Sequence, residues 1–146
     1  MRISTKGRYA IRLMLDMAQH SNGENISLKD VSQRQNISLK YLEQIVNMLG
    51  KAGFVKSQRG AQGGYKMLRK PEEYTIGDIL RVTEGDMAPV SCLRDKINQC
   101  PRVSKCPTIN FWTGLYRTIN DYLDGTTIAD LMNAAEENNE DFCYYI

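Results

Sequence analysis

Apolar residues recur at helical spacing through most of this chain, and two segments break the rhythm. From about residue 5 to residue 20, Ala10, Leu13, Met14, Met17 and Ala18 form one stripe, which predicts an amphipathic helix. A second helix is expected from about Ser27 to Gln35. Asn36 and Ile37 make a tight break, after which Ser38 can cap a third helix whose Leu42, Ile45, Val46 and Leu49 face inward and which ends near Gly50 to Gly53. Ser27/Asp30, Thr75/Asp78 and Thr127/Asp130 share one spacing, a hydroxyl followed three residues later by a carboxylate. That pairing satisfies free amides at a helix start and puts negative charge where the helix dipole favours it. It predicts further helices at about 75–84 and 127–137. Two short helices across a tight turn, as at 27–50, make a helix-turn-helix.

The first break in the rhythm is Phe54-Val55-Lys56-Ser57, the turn Arg59-Gly60-Ala61-Gln62-Gly63-Gly64, and Tyr65-Lys66-Met67-Leu68. Two short runs rich in β-formers around glycines predict a β-hairpin, the wing of a winged helix. The second break runs from Gly85 to Pro107, polar in composition and containing Pro89, Pro101 and Pro107. A loop of that length needs something to order it, and a bound metal cluster would.

From Thr108 to about Leu123, the residues Trp112, Leu115, Tyr116, Ile119, Tyr122 and Leu123 return mostly at intervals of three and four, giving one long helix with one apolar seam. Little sequence remains to cover that seam, so the same helix of a second chain is the expected partner, ahead of packing back on its own winged helix, and the chain is expected to be a homodimer. After Gly125 the last helix leads into an acidic segment and the tail Phe142-Cys143-Tyr144-Tyr145-Ile146. The predicted fold class is mainly α with a small β-hairpin wing. Residues 1–84 form a winged helix-turn-helix, 85–107 a cluster-binding loop, and 108–146 a long dimerisation helix with a C-terminal helix and tail.

Charge sharpens this picture through its distribution. The net charge of the 146 residues is only +2, yet residues 1–70 carry thirteen Lys/Arg against four Asp/Glu, and residues 71–146 carry six against thirteen. A basic half of that density is the footprint of a polyanion binder, here double-stranded DNA, while the acidic half is kept off the phosphates. The opening apolar stretch is interrupted by Arg8, Arg12 and Asp16, unlike a signal peptide or a membrane-spanning helix. A cytoplasmic protein with no membrane partner is expected.

Cys92, Cys100 and Cys106 lie within fifteen residues, spaced C-x7-C-x5-C. In a reducing cytosol such thiols stay free, and an iron-sulfur cluster needs them as thiolates. Structural zinc would ask for paired C-x2–4-C knuckles, which the sequence lacks. Catalysis has little support. P-loop, nucleophile-elbow and HExxH motifs are missing, and His20 is the only histidine.

Jointly, the opening Met1-Arg2-Ile3-Ser4-Thr5-Lys6-Gly7-Arg8-Tyr9-Ala10, the segment Ile37-Ser38-Leu39-Lys40-Tyr41-Leu42-Glu43-Gln44, the wing residues Arg59-Gly60 and Gly63-Gly64-Tyr65, and the three cysteines are specific. The chain resembles the IscR/NsrR/CymR superfamily of dimeric winged-helix transcription factors over nearly its whole length, and most of all the IscR-like iron-sulfur regulators. That resemblance implies a repressor of iron-sulfur cluster assembly genes. It places DNA contacts on Ser38, Lys40, Tyr41, Gln44 and Arg59, and cluster ligation on Cys92, Cys100 and Cys106, with 2Fe-2S favoured over 4Fe-4S. The side chains agree independently: Gln44 can pair with adenine, Lys40 can meet guanine or phosphate, and Arg59 suits a narrow minor groove. Glu43 could accept from cytosine, repel phosphate, or be a solvated helix charge.

The sequence departs from the resemblance at the fourth ligand. Ile109 stands where the IscR-like pattern has histidine, and Arg8 stands where the NsrR-like pattern has an acidic residue. Cys143, His20, Asn110, a carboxylate of the partner chain or an exogenous group remain as donors. A metal-free thiol redox switch, a nitric-oxide sensor and a CymR-like regulator of cysteine metabolism are the alternatives, and the CymR-like role needs no cysteine triad.

Overall fold

The first helix, α1 (Thr5–His20), begins where the Ser4 hydroxyl accepts the Gly7 amide at 3.2 Å, and its Ala10, Leu13, Met14 and Met17 are buried. This computed structural model describes the backbone of residues 1–144 and the side chains through residue 139. Helix α2 (Leu28–Gln35) is capped by Ser27 and stopped by Asn36, which adopts a left-handed conformation with φ 53°. Asparagine tolerates that backbone because its short amide can bond locally, so the chain turns within two residues. Helix α3 (Leu39–Lys51) follows, and its Leu42, Ile45, Val46 and Leu49 point into the core as the spacing predicts.

The wing is the antiparallel pair β1 (Val55–Gln58) and β2 (Gly64–Met67), with Val55 opposite Met67 and Gln58 opposite Gly64. A bridge between Ile26 and Tyr65, 2.8 Å in both directions, ties the wing to the segment preceding α2. Gly64 makes this approach possible. Its φ is +149°, and a Cβ there would stand 2.5 Å from the Ile26 carbonyl oxygen, so a side chain would push the bridge apart.

Helix α4 (Ile76–Glu84) starts at Thr75, whose hydroxyl accepts the Asp78 amide at 3.0 Å, and it packs on α1. Helices α5 (Ile109–Gly125) and α6 (Ile128–Tyr144) lie on α4 and α1 respectively. Where they meet, Ile76 N–H donates to the Thr126 carbonyl (2.9 Å) and Ile128 N–H to the Tyr74 carbonyl (3.0 Å). These bonds knit the last two helices to the winged helix, and Ile128 joins the same core.

Tyr74 is fully buried and works as a polar rivet. Its hydroxyl donates to the Phe54 carbonyl (2.7 Å) and accepts from the Leu68 and Arg69 amides (3.0 Å each), holding both roots of the wing.

Three features differ from the sequence expectation. Helix α6 continues through the acidic segment to Tyr144 instead of ending near 137, because no glycine or proline follows Gly125 to stop it. The side chains of the predicted tail, Cys143 among them, lie outside the described residues. The cysteine loop holds two short 3-10 turns, Ser91–Leu93 and Val103–Lys105, and is rooted by buried Met87. The predicted seam of α5 divides in two: Tyr116 and Leu123 pack toward the core, while Leu115 and Tyr122 face solvent with Phe111.

Candidate DNA-reading face and cysteine loop

The α2–α3 corner is held by a carboxylate that leaves solvent entirely. Asp16 of α1 accepts from Arg34 through Nε (3.0 and 3.2 Å) and a terminal guanidinium nitrogen (2.6 Å), and from the Gln35 side-chain amide (2.9 Å). A buried charge is tolerated only when paired and fully hydrogen-bonded, and here it is. The bond to Asp16 raises the pKa of Arg34 further above its ordinary value. Gln35 passes the network on: its side-chain oxygen accepts from Arg12 Nε (3.1 Å), and its carbonyl accepts a second Arg12 nitrogen. Arg12 stacks over Tyr9, which meets Tyr41 edge-on at 5.7 Å. A continuous set of contacts therefore runs from the buried carboxylate to α3.

Helix α3 and its cap carry four of the five expected contact residues, Ser38, Lys40, Tyr41 and Gln44. The Ser38 hydroxyl accepts the Tyr41 amide (3.2 Å), which leaves its O–H free to donate to a phosphate. Lys40 and Gln44 are exposed on one helix face, with Asn47 a further turn along. Tyr41 is half-buried against Tyr9, so its ring is a packing element as well as a candidate contact. Arg59 is exposed at the turn between β1 and β2. Ser38, Lys40, Tyr41 and Gln44 share the first two turns of α3, and Arg59 sits on a separate element.

The wing also carries a pairing that the sequence alone does not show. Lys56 and Lys66 face each other directly across the hairpin, and both are exposed. Like charges opposite one another cost stability unless an anion lies between or beside them. The Asn25 amide donates to the Gln58 side chain (2.9 Å) and to the Gln62 carbonyl (3.1 Å), fixing the wing relative to the helices. Register was the missing information, since it follows from the turn and not from either lysine alone.

The three loop cysteines are free thiols of intermediate exposure. The Cys106 sulfur lies 3.5 Å from the Thr108 hydroxyl, and that hydrogen bond holds its thiol below the ordinary cysteine range. The Thr108 and Ile109 amides and Arg102 act in the same direction. Lys96, Arg102 and Lys105 add positive charge along the loop, while Arg94 is paired with Asp86 at 3.2 Å. The donor chemistry therefore fits a group that binds thiolates. The geometry is open: among the described residues, no three His, Cys, Asp or Glu side chains converge at metal-binding spacing.

His20 is placed at the far end of α1, its Nδ1 2.9 Å from the Asp16 carbonyl. At about 1.5 Å rise per residue, the length of α1 from Thr5 to His20 puts it about 22 Å from the helix start. The cysteine loop leaves from beside that start, where Glu84 accepts the Ser4 amide at 3.2 Å. Ile109 and Asn110 occupy the first turn of α5. No helix among the described residues is long and apolar enough to cross a membrane.

Residues 3–134 match the Rrf2 family model, described as an iron-dependent transcriptional regulator. The chain is 41% identical over 140 residues to the protein rrf2 of Nitratidesulfovibrio vulgaris Hildenborough, covering 92% of this chain and 89% of that one. The structure of CymR (YrzC), the global cysteine regulator of B. subtilis, superposes with a TM-score of 0.76 at 37% identity, over 92% of this chain and 98% of that one. The structure of IscR from T. potens gives 0.72 at 39% identity, over 94% and 90%.

Proposed function

The chain belongs to the Rrf2 family of DNA-binding transcriptional regulators, and on that premise we propose that it is a cytoplasmic homodimeric repressor of iron-sulfur cluster assembly genes, sensing a cluster held by Cys92, Cys100 and Cys106. The observation that carries the sensing part is the set of three free, part-exposed thiols on one basic loop, one of them with a lowered pKa. Three thiolates suit an iron-sulfur cluster, with 2Fe-2S favoured over 4Fe-4S. When bound, the cluster supplies an oxygen- and iron-sensitive link among the three. A loop built from short turns can close around it at modest entropic cost.

In this reading, residues 1–84 bind DNA, 85–107 hold the cluster, and 108–146 join two protomers. Lys40 and Gln44 read base edges in the major groove, Ser38 and Tyr41 orient α3 on the backbone, and Arg59 enters the adjacent minor groove. Phe111, Leu115 and Tyr122, exposed along α5, pair with the same helix of a second copy. Glu84 gives the loop a path to the DNA-binding head, because it ends α4 where the loop begins and holds the start of α1.

The test is anaerobic isolation followed by visible absorbance and iron and sulfide analysis of the wild type and three single variants. Equal iron and sulfide in the wild type, lost in Cys92→Ala, Cys100→Ala and Cys106→Ala, is the expected result. A colourless, iron-free protein after reconstitution would replace the cluster with a thiol switch or a cysteine-responsive role like that named for CymR.

A further inference from the structure

Leu39 opens α3 and is 41% exposed, whereas Leu42, Ile45, Val46 and Leu49 of the same helix are buried. It sits among Ser38, Lys40, Glu43 and Gln44, all exposed and all polar. A leucine there stands outside the buried core and leaves part of an apolar side chain in water at the leading turn of the helix. Helical side chains lean toward the N-terminus, so its methyl groups project ahead of Lys40 and Gln44. The N-terminal residues of a recognition helix are those that reach base edges. The apolar feature the major groove offers is the C5-methyl group of thymine.

We propose that Leu39 is a specificity-determining residue that packs on the thymine methyl group of one base pair in each half-site. The inference rests on the reading of α3 as the recognition helix and adds an apolar contact to the polar ones already assigned. Lys40 and Gln44 distinguish purines by hydrogen bonding, and Leu39 distinguishes thymine from cytosine by burying a methyl group that cytosine lacks.

The experiment uses the full chain and an operator recovered from a random DNA pool by the wild-type protein. Each thymine is replaced in turn by deoxyuridine, which keeps the base pair and removes only the methyl group. One position per half-site should weaken wild-type binding about fourfold, the value of one buried methyl group, and about fifteenfold when both half-sites are changed. Leu39→Ala should bind the thymine operator more weakly and show no further loss with deoxyuridine at that position, and Leu39→Met should keep the discrimination. Circular dichroism of Leu39→Ala should match the wild type, because the side chain is outside the core. Equal wild-type binding with thymine or deoxyuridine at every position overturns the inference alone, as does a deoxyuridine penalty that persists in Leu39→Ala. Failure to recover any preferred sequence sinks both the inference and the reading of α3 beneath it.

Discussion

Replacing Asp16 by alanine should destabilise the protein by about 3 kcal/mol, far more than a helix-surface substitution. The magnitude follows from what is left behind. Asp16 is fully buried and receives two-point hydrogen bonding from Arg34 and one further bond from Gln35. Removing one partner of a buried pair costs roughly 3–5 kcal/mol, because the other is stranded without compensation. The Arg34 side chain is 33% exposed, so part of its guanidinium can turn to water, which moves the estimate to the lower end. At roughly 2–4 °C per kcal/mol for a chain of this size, the melting temperature should fall by about 10 °C. Urea and thermal unfolding at one fixed protomer concentration would measure this, since the stability of the proposed dimer would depend on concentration. Arg34→Ala and the double variant complete a thermodynamic cycle, in which the double variant should be more stable than the sum of the singles by at least about 1 kcal/mol. A loss under about 0.5 kcal/mol for Asp16→Ala, or strict additivity, would refute the claim that this network holds the α2–α3 corner.

Gln44→Ala should cost roughly 1–3 kcal/mol at the cognate site and leave random DNA binding nearly unchanged; equal losses on both would show that Gln44 does not read bases. Lys56→Ala should weaken both DNAs alike and flatten the logarithmic salt slope by about 1, a difference read by salt titration. Tyr74→Phe should cost about 2 kcal/mol in urea unfolding, because the Arg69 amide loses its hydroxyl acceptor while the Phe54 carbonyl keeps the Leu68 amide at 3.2 Å. In the reduced, metal-free protein, Cys106 alkylation should reach half its maximal rate at a lower pH than for the same thiol in the urea-unfolded chain, and Thr108→Val should shift the profile back up. Identical folded and unfolded profiles would remove the Thr108 effect.

The elements that local pattern governs were legible in the sequence. Ser27 and Thr75 cap helices as their spacing predicts, Ser38 caps α3 as its place after the Asn36-Ile37 break predicts, and the four apolar positions of α3 are its buried face. The hairpin followed from glycines flanking β-forming residues. What escaped depends on distant partners. Asp16 looked like a polar interruption of an apolar stretch, and only Arg34, eighteen positions away, makes it a buried anchor. Tyr74 gave no local sign that its hydroxyl would meet backbone from both roots of the wing. Periodicity shows which side of α5 is apolar, but not how that side is shared between α4 and a proposed second copy. On the candidate face, Asn47 follows from its interval to Gln44, whereas the opposition of Lys56 and Lys66 follows only from the hairpin register.

If a dimer of this chain reads DNA through two copies of α3, selection from a random duplex pool will show it. The wild-type protein, carried through repeated rounds of binding and amplification at fixed salt, should enrich a two-fold symmetric sequence. Its half-site centres should lie about 34–36 Å, or a multiple of that, apart, matching two recognition helices on one face of the duplex. Enrichment of an asymmetric single site, or of no sequence at all, would contradict the account.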